Sequence, residues 1–137
     1  NIQGVKEASG SLDQMSRIRA LCPENFGLLS GDDSLTLSVL AIGGKGIISV
    51  AANIIPREVS DMVTAFLKGD IQRARQLHYK MLPLFKALFI ETNPIPLKTA
   101  MGLMGLCSEE MRLPMCAMSD ENLLKLKKAL KDYGLIK

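Results

Sequence analysis

The sequence predicts an α/β fold in two parts: a small parallel sheet comes first and helices alone follow. Three observations predict it. Short apolar runs recur at residues 2–7, 26–30 and 46–50. Single stretches with apolar residues at helical spacing separate them, and strand–helix–strand units of this size make right-handed crossovers to a parallel neighbour. Beyond Asn53 only helical patterns remain.

Each element has its own reason. Residues 2–7 are short and apolar enough for a strand, and Ser9-Gly10-Ser11 follows as a loop. Ser11 and Gln14 have the spacing of a capping box, and Leu12, Met15, Ile18 and Cys22 then fall on one helical face before Pro23 ends the helix. After the second run, Gly31-Asp32-Asp33-Ser34 breaks the chain and a helix is expected over residues 35–42. Gly43-Gly44-Lys45-Gly46 stops it, and a β-branched third strand is expected over 46–50. Continuous apolar runs suit parallel strands covered on both faces.

The helical part begins with Pro56, at a first-turn position where its missing N–H costs nothing. Val59, Met62, Val63 and Phe66 form a buried stripe, with Gly69 as the residue after the helix. Asp70 caps the next helix, and Pro83 predicts a kink in it. Asn93-Pro94-Ile95-Pro96 is expected to be a fixed bend, followed by a helix over 97–106. Residues 111–118 are irregular. Ser119 is expected to cap the last helix, with Leu123, Leu126 and Leu130 inward and Gly134 past its end.

A three-stranded open parallel sheet leaves two edges of unpaired backbone groups. It therefore reads as an arc of a larger structure, the last three strands of a (β/α)8 barrel, which needs about 250 residues. The expected division is a partial β/α barrel over residues 1–69 and an α-helical part over 70–137. The chain has 137 residues and no initiator Met, and its first residues read as a strand already under way, which suggests a piece of something longer.

Composition narrows the function classes. Net charge is +3, aromatics are 4% and Trp is absent, so neither a basic stripe nor a base-stacking platform for nucleic acid is present. No apolar run reaches the roughly 18 residues of a membrane span, and no signal-peptide pattern opens the chain. Cys22, Cys107 and Cys116 are odd in number and form no Cys-x-x-Cys pair, which argues against a disulfide framework or zinc and for reduced, cytoplasmic thiols. No cofactor or metal is implied.

The chemistry-bearing residues cluster at strand ends. Lys6 lies at the carboxyl end of the first strand, where barrel active sites are built. Among apolar walls its charged form is disfavoured, and a neutral amine is the nucleophile that forms a Schiff base with a carbonyl compound. Gly4 on the same face would leave room for an adduct. The alternative is a lysine reaching to water from a strand end. Gly31-Asp32-Asp33 follows the second strand, as a pocket wall with Gly31 allowing close approach or, for the aspartates, as helix caps. Ser49 and Asn53, at the third strand's end, either bind a ligand or serve the loop. Gly43-Gly44-Lys45-Gly46 precedes a strand and lacks the P-loop spacing, so it is a turn. His78 is expected on a solvated helix face. Lys125, Lys127, Lys128 and Lys131 suit the negative end of the last helix.

In combination these segments resemble the dihydrodipicolinate synthase family, within the class I aldolase and N-acetylneuraminate lyase superfamily. Gly4-Val5-Lys6-Glu7-Ala8-Ser9-Gly10 is similar to its Schiff-base lysine motif. Leu29-Ser30-Gly31-Asp32-Asp33, then Gly43 to Val50 with Ala52-Asn53, resemble the next two strand ends. Asn93-Pro94-Ile95-Pro96-Leu97-Lys98 and Arg112-Leu113-Pro114 resemble the helical tail, so the likeness runs from about Gly4 to Leu135. It implies that Lys6 condenses with pyruvate, and that the resulting enamine attacks L-aspartate 4-semialdehyde in lysine (diaminopimelate) biosynthesis. It implies that Gly31 and Ile48, the latter through its backbone, line the pyruvate pocket. It further implies a homo-oligomer, usually a tetramer, with no nucleic-acid or membrane partner.

The family's tyrosine proton relay, threonine pair, second-substrate arginine and lysine-feedback site lie upstream of the lysine motif. Tyr79 and Tyr133 are in the helical part, so the chain alone is expected to be inactive. Sialic-acid lyases and keto-deoxy sugar acid aldolases share the lysine, although Ser30-Gly31-Asp32-Asp33 and Asn93-Pro94-Ile95-Pro96 favour the synthase. A non-catalytic, self-associating half-barrel is the remaining alternative.

Overall fold

The computed structural model describes all 137 residues. Two compact units, residues 1–79 and 80–137, divide the chain within one long helix.

In the first unit, strand β1 (Gly4–Glu7), helix α1 (Leu12–Leu21), strand β2 (Gly27–Ser30), helix α2 (Thr36–Ala41), strand β3 (Gly46–Ile47) and helix α3 (Pro56–Leu67) alternate. The sheet order is β1-β2-β3 and both pairings are parallel, as the crossover argument requires. The register sets Lys6 beside Leu29, Glu7 beside Ser30, and Ser30 beside Ile47. Met15, Leu28 and Val39, one from each of α1, β2 and α2, are fully buried together, with Val5, Ile18, Leu35 and Ile42 against them. The sheet's outer face is thus covered by the helices that connect its strands. This is the α/β architecture of the last three strands of a (β/α)8 barrel, with helices following.

Several element ends differ from expectation. At α1, Ser11 Oγ accepts the Gln14 N–H at 3.2 Å, but Gln14 does not reach back to Ser11. Its side-chain amide donates to Glu7 Oε1 at 3.1 Å instead, and the Ser11 N–H donates to Ser9 Oγ at 3.2 Å. The β2–α2 connection contains a 3-10 turn (Asp33–Leu35), and α2 then begins at Thr36, within a residue of the expected start. Strand β3 is two residues long, not five: its partner β2 ends at Ser30, and the chain beyond Ile48 turns into a second 3-10 segment (Ala51–Asn53). Around α3, Pro56 is in the first turn and Gly69 follows the helix at φ +84°, but of the expected stripe only Val59 and Met62 are buried, while Val63 and Phe66 stay partly exposed.

Helix α4 (Ile71–Ala87) runs without a break through Pro83. Proline there removes one ladder bond while the helix continues for another turn. In the second unit, α5 (Ile95–Leu103) starts earlier than expected, with Pro96 inside its first turn, where N–H groups have no helical partner in any case. Helix α6 (Asp120–Tyr133) buries Leu126 and Leu130, and Gly134 follows in the left-handed conformation at φ +87°. Ser119 precedes α6, but its hydroxyl donates to Glu91 at 2.7 Å and makes no cap bond to the helix. No helix is long and apolar enough to cross a membrane.

Candidate active site

The carboxyl ends of β1, β2 and β3 lie side by side because the strands are parallel and in the register given above. Lys6 is at the end of β1, Gly31 directly follows β2, and Ile48 directly follows β3. The sheet geometry therefore brings these three residues, far apart in sequence, to one edge.

The Lys6 side chain is exposed, so the apolar enclosure expected for it is not supplied by these residues. Its direction is nevertheless set. A Cβ added at Gly31 would stand 2.9 Å from Lys6 Cε and 2.5 Å from the Ala8 Cβ, so the lysine stem crosses the backbone of Gly31. The Gly31 N–H donates to the Glu7 carbonyl at 2.7 Å, which locks the glycine beside the end of β1. Gly4, expected to leave room for an adduct, has a different task. A Cβ there would meet the Gly27 carbonyl oxygen at 2.4 Å, so Gly4 permits the close approach of β1 and β2. The glycine that makes room for the lysine is Gly31.

Ile48 has a half-exposed side chain (49%) and donates its N–H to the Ser30 carbonyl at 2.9 Å. Beyond it, Asp33 governs the chain. Asp33 is fully buried, and its carboxylate accepts hydrogen bonds from the Ser49 hydroxyl, from the Val50 N–H at 3.1 Å and from the Ala51 N–H at 3.3 Å. Burial pushes its carboxyl above the ordinary value, against the pull of those donors and with a further upward push from Asp32. Ser49 Oγ also accepts the Ala52 N–H at 2.8 Å, and the Asn53 side-chain amide donates to the Val50 carbonyl at 2.9 Å. Ser49 and Asn53 thus serve the loop.

The two aspartates divide the roles that the sequence left open. Asp32 caps: its Oδ1 accepts the Ser34 N–H and the Ser34 hydroxyl, each at 2.9 Å. Asp33 reaches across to the neighbouring strand end instead. Sequence reasoning missed this, since a carboxylate at a helix start is ordinarily a cap. It also missed Glu7, only 6% exposed, whose Oε1 accepts the Ser9 N–H at 2.9 Å and the Gln14 side chain, while Oε2 is buried without a hydrogen-bond partner. The available signal was an acidic residue at the end of an apolar strand.

His78 is half-buried, not solvated, and desolvation lowers its pKa. A cleft of ≈ 390 Å³ opens beside β3 and α3, with Lys45, Ile47, Ser49 and Ser60 on its walls. None of Lys6, Gly31 and Ile48 lines it, and it offers no carboxylate or imidazole as a general base.

Comparison with known proteins bears on this strand-end arrangement. The model of the dihydrodipicolinate synthetase family matches residues 1–133. A 4-hydroxy-tetrahydrodipicolinate synthase of Endomicrobium trichonymphae is 61% identical over 137 residues, covering 100% of this chain and 47% of the relative. The crystal structure of dihydrodipicolinate synthase from Aquifex aeolicus superposes with a TM-score of 0.96 at 52% identity, over 98% of this chain and 46% of that one. That of Thermotoga maritima gives 0.94 at 39% identity, with coverage of 98% and 46%. The chain spans about half the length of the relatives it matches. With the family motif set, the parallel strand ends and the superposition in agreement, the chain belongs to the dihydrodipicolinate synthetase family.

Proposed function

We propose that these residues form the C-terminal half of a pyruvate-condensing class I aldolase, which joins pyruvate to L-aspartate 4-semialdehyde in lysine (diaminopimelate) biosynthesis. The observation that carries the reading is the Lys6 stem laid across Gly31 at the carboxyl edge of a parallel sheet, in a chain of this family.

The chemistry follows from the amine. Neutral Lys6 Nζ attacks the C2 carbonyl of pyruvate, a C–N bond forms, and the carbonyl oxygen leaves as water. Loss of a C3 proton from the imine gives an enamine. Its C3 attacks the aldehyde carbon of the semialdehyde, whose oxygen takes a proton. The substrate's own amino group then attacks the imine carbon and expels Lys6, closing the ring. Gly31 leaves the space that the three-carbon adduct occupies, and the Ile48 carbonyl lines the pyruvate pocket.

Proton transfer in these steps needs an acid–base group, worth about 100- to 10,000-fold in rate, which the family supplies upstream of the lysine motif. The 137 residues alone are therefore expected not to turn over. The functional division is a barrel arc over residues 1–69, which carries the chemistry, and a helical part over 70–137. The working protein is a homo-oligomer, a tetramer, in the cytoplasm, with no cofactor.

Borohydride reduction in the presence of pyruvate tests the reading. The chain is treated alone and joined behind the N-terminal half of the Endomicrobium relative. The expected result is a carboxyethyl group on Lys6, formed faster in the joined protein. Absence of the adduct from Lys6 in both forms overturns the proposal.

A further inference from the structure

We propose that Asp33 is a positioning residue: its buried carboxylate fixes the Ile48 peptide and so aims the carbonyl that meets pyruvate. The inference deepens the aldolase reading and rests on it.

Ile48 lies past the last ladder pair of the sheet, Ser30 with Ile47. On its N-terminal side it is held by its N–H bond to the Ser30 carbonyl, at 2.9 Å. On its C-terminal side there is no further strand to hold it. The next three residues are held instead by Asp33, which takes the Ser49 hydroxyl and the Val50 and Ala51 N–H groups. The Ile48 peptide is thereby fixed from both sides. Asp33 is itself anchored, since the Thr36 hydroxyl donates to its carbonyl at 2.8 Å. Ser30, which supplies the other hold, is fully buried, and its hydroxyl donates to the Asp32 carbonyl at 2.8 Å.

A simple loop would not need this. Burying a carboxylate is costly unless donors surround it, and Asp32 next door shows that a less buried aspartate suffices for capping. The costly group occurs where a backbone carbonyl has to point in one direction. Glu7, Ser30, Asp33 and Thr36 are all the buried polar side chains of the first unit, and the first three lie at or just beyond a strand's carboxyl end. Glu7 leaves one oxygen without a partner, whereas the Asp33 carboxylate is bonded through both oxygens and holds one geometry.

The test measures pyruvate trapping on Lys6 against pyruvate concentration in the joined protein, which separates half-saturation from the plateau rate. Asp33→Asn raises the half-saturating concentration about tenfold, the equivalent of one well-aimed hydrogen bond, and changes the plateau less than about threefold. Ser49→Ala raises it by about threefold, and Ser49→Thr, which restores the hydroxyl, returns it to the parent value. Asp32→Ala removes a cap and a like charge beside Asp33 but none of the bonds that hold residues 49–51, so it lowers stability and leaves half-saturation unchanged. If Asp33→Asn does not fold, the Ser49 pair decides. Parent-like half-saturation in Asp33→Asn and Ser49→Ala overturns the inference, as does an equal rise in Asp32→Ala. In both cases Lys6 still traps pyruvate and the aldolase reading stands. No adduct in the parent protein overturns the aldolase reading, and this inference with it.

Discussion

The Cε of Lys6 passes so close to Gly31 that a Cβ on the glycine would stand 2.9 Å from it, with the Glu7 carbonyl oxygen 3.1 Å away on another side. The bare Cα of Gly31 is therefore a contact surface for the lysine. Gly31→Ala has to displace the lysine stem, the Ala8 methyl or the β1 backbone. Trapping of pyruvate on Lys6 is expected to fall on the order of tenfold to a hundredfold, because displacement of a reacting group by an ångström costs that much. Stability is expected to fall by about 1–3 kcal/mol from overpacking. Mass spectrometry of the trapped adduct and urea unfolding check the two parts.

Gly4→Ala separates the strands rather than the lysine. Its new methyl would meet the Gly27 carbonyl oxygen at 2.4 Å and the Gly27 Cα at 3.0 Å, and neither backbone atom can yield as a side chain can. The expected outcome is a loss of about 1–3 kcal/mol, with the β1–β2 ladder amides losing hydrogen-exchange protection. Unchanged protection at Val5 to Glu7 contradicts it.

Asp33 links stability to pH. Burial raises its folded-state pKa above the ordinary value of 3.8. Between the unfolded and folded values the native state holds a proton that the unfolded chain has released, so stability falls as pH rises. Its stabilising contribution is complete below about pH 3.8 and is lost as pH rises through the folded-state value. Asp33→Asn removes this dependence. It also exchanges an acceptor for an amide that faces two N–H donors, at a cost of about 1–3 kcal/mol. Urea midpoints of parent and variant across the acidic range check the prediction.

Glu91 works in the opposite sense. Hydrogen bonds from the Asn122 side chain and the Ser119 hydroxyl, with the Ser119 N–H adding to them, lower its carboxyl below the usual range. Stability from this contact is present above the unfolded-chain pKa and is lost as pH falls through the lowered folded-state value. Glu91→Gln keeps an acceptor at the start of α6 but loses the charge. It is expected to destabilise the protein modestly at neutral pH and to flatten this part of the acid response. A variant whose unfolding midpoint follows the parent's at every pH contradicts the assignment.

The strand and helix order, the parallel sheet and the strand-end lysine are legible along the chain. These depend on local chemistry: β-branched runs, helical spacing, Pro56 in a first turn, Gly69 and Gly134 after helix ends. The family motifs, carried by adjacent residues, were legible for the same reason. Tertiary structure decided what the side chains at that edge do. Register placed Gly31, not Gly4, against Lys6; the end of β2 cut β3 to two residues; and Asp33 bonded residues 16 to 18 positions away. Glu7 diverted Gln14 from its cap, and Glu91 bonded Ser119 and Asn122, 28 and 31 positions on. A cap and a cross-strand clamp call for the same amino acid. Only the position of donors brought close by folding distinguishes them, because hydrogen bonds are decided over a few ångströms in space and not by distance along the chain.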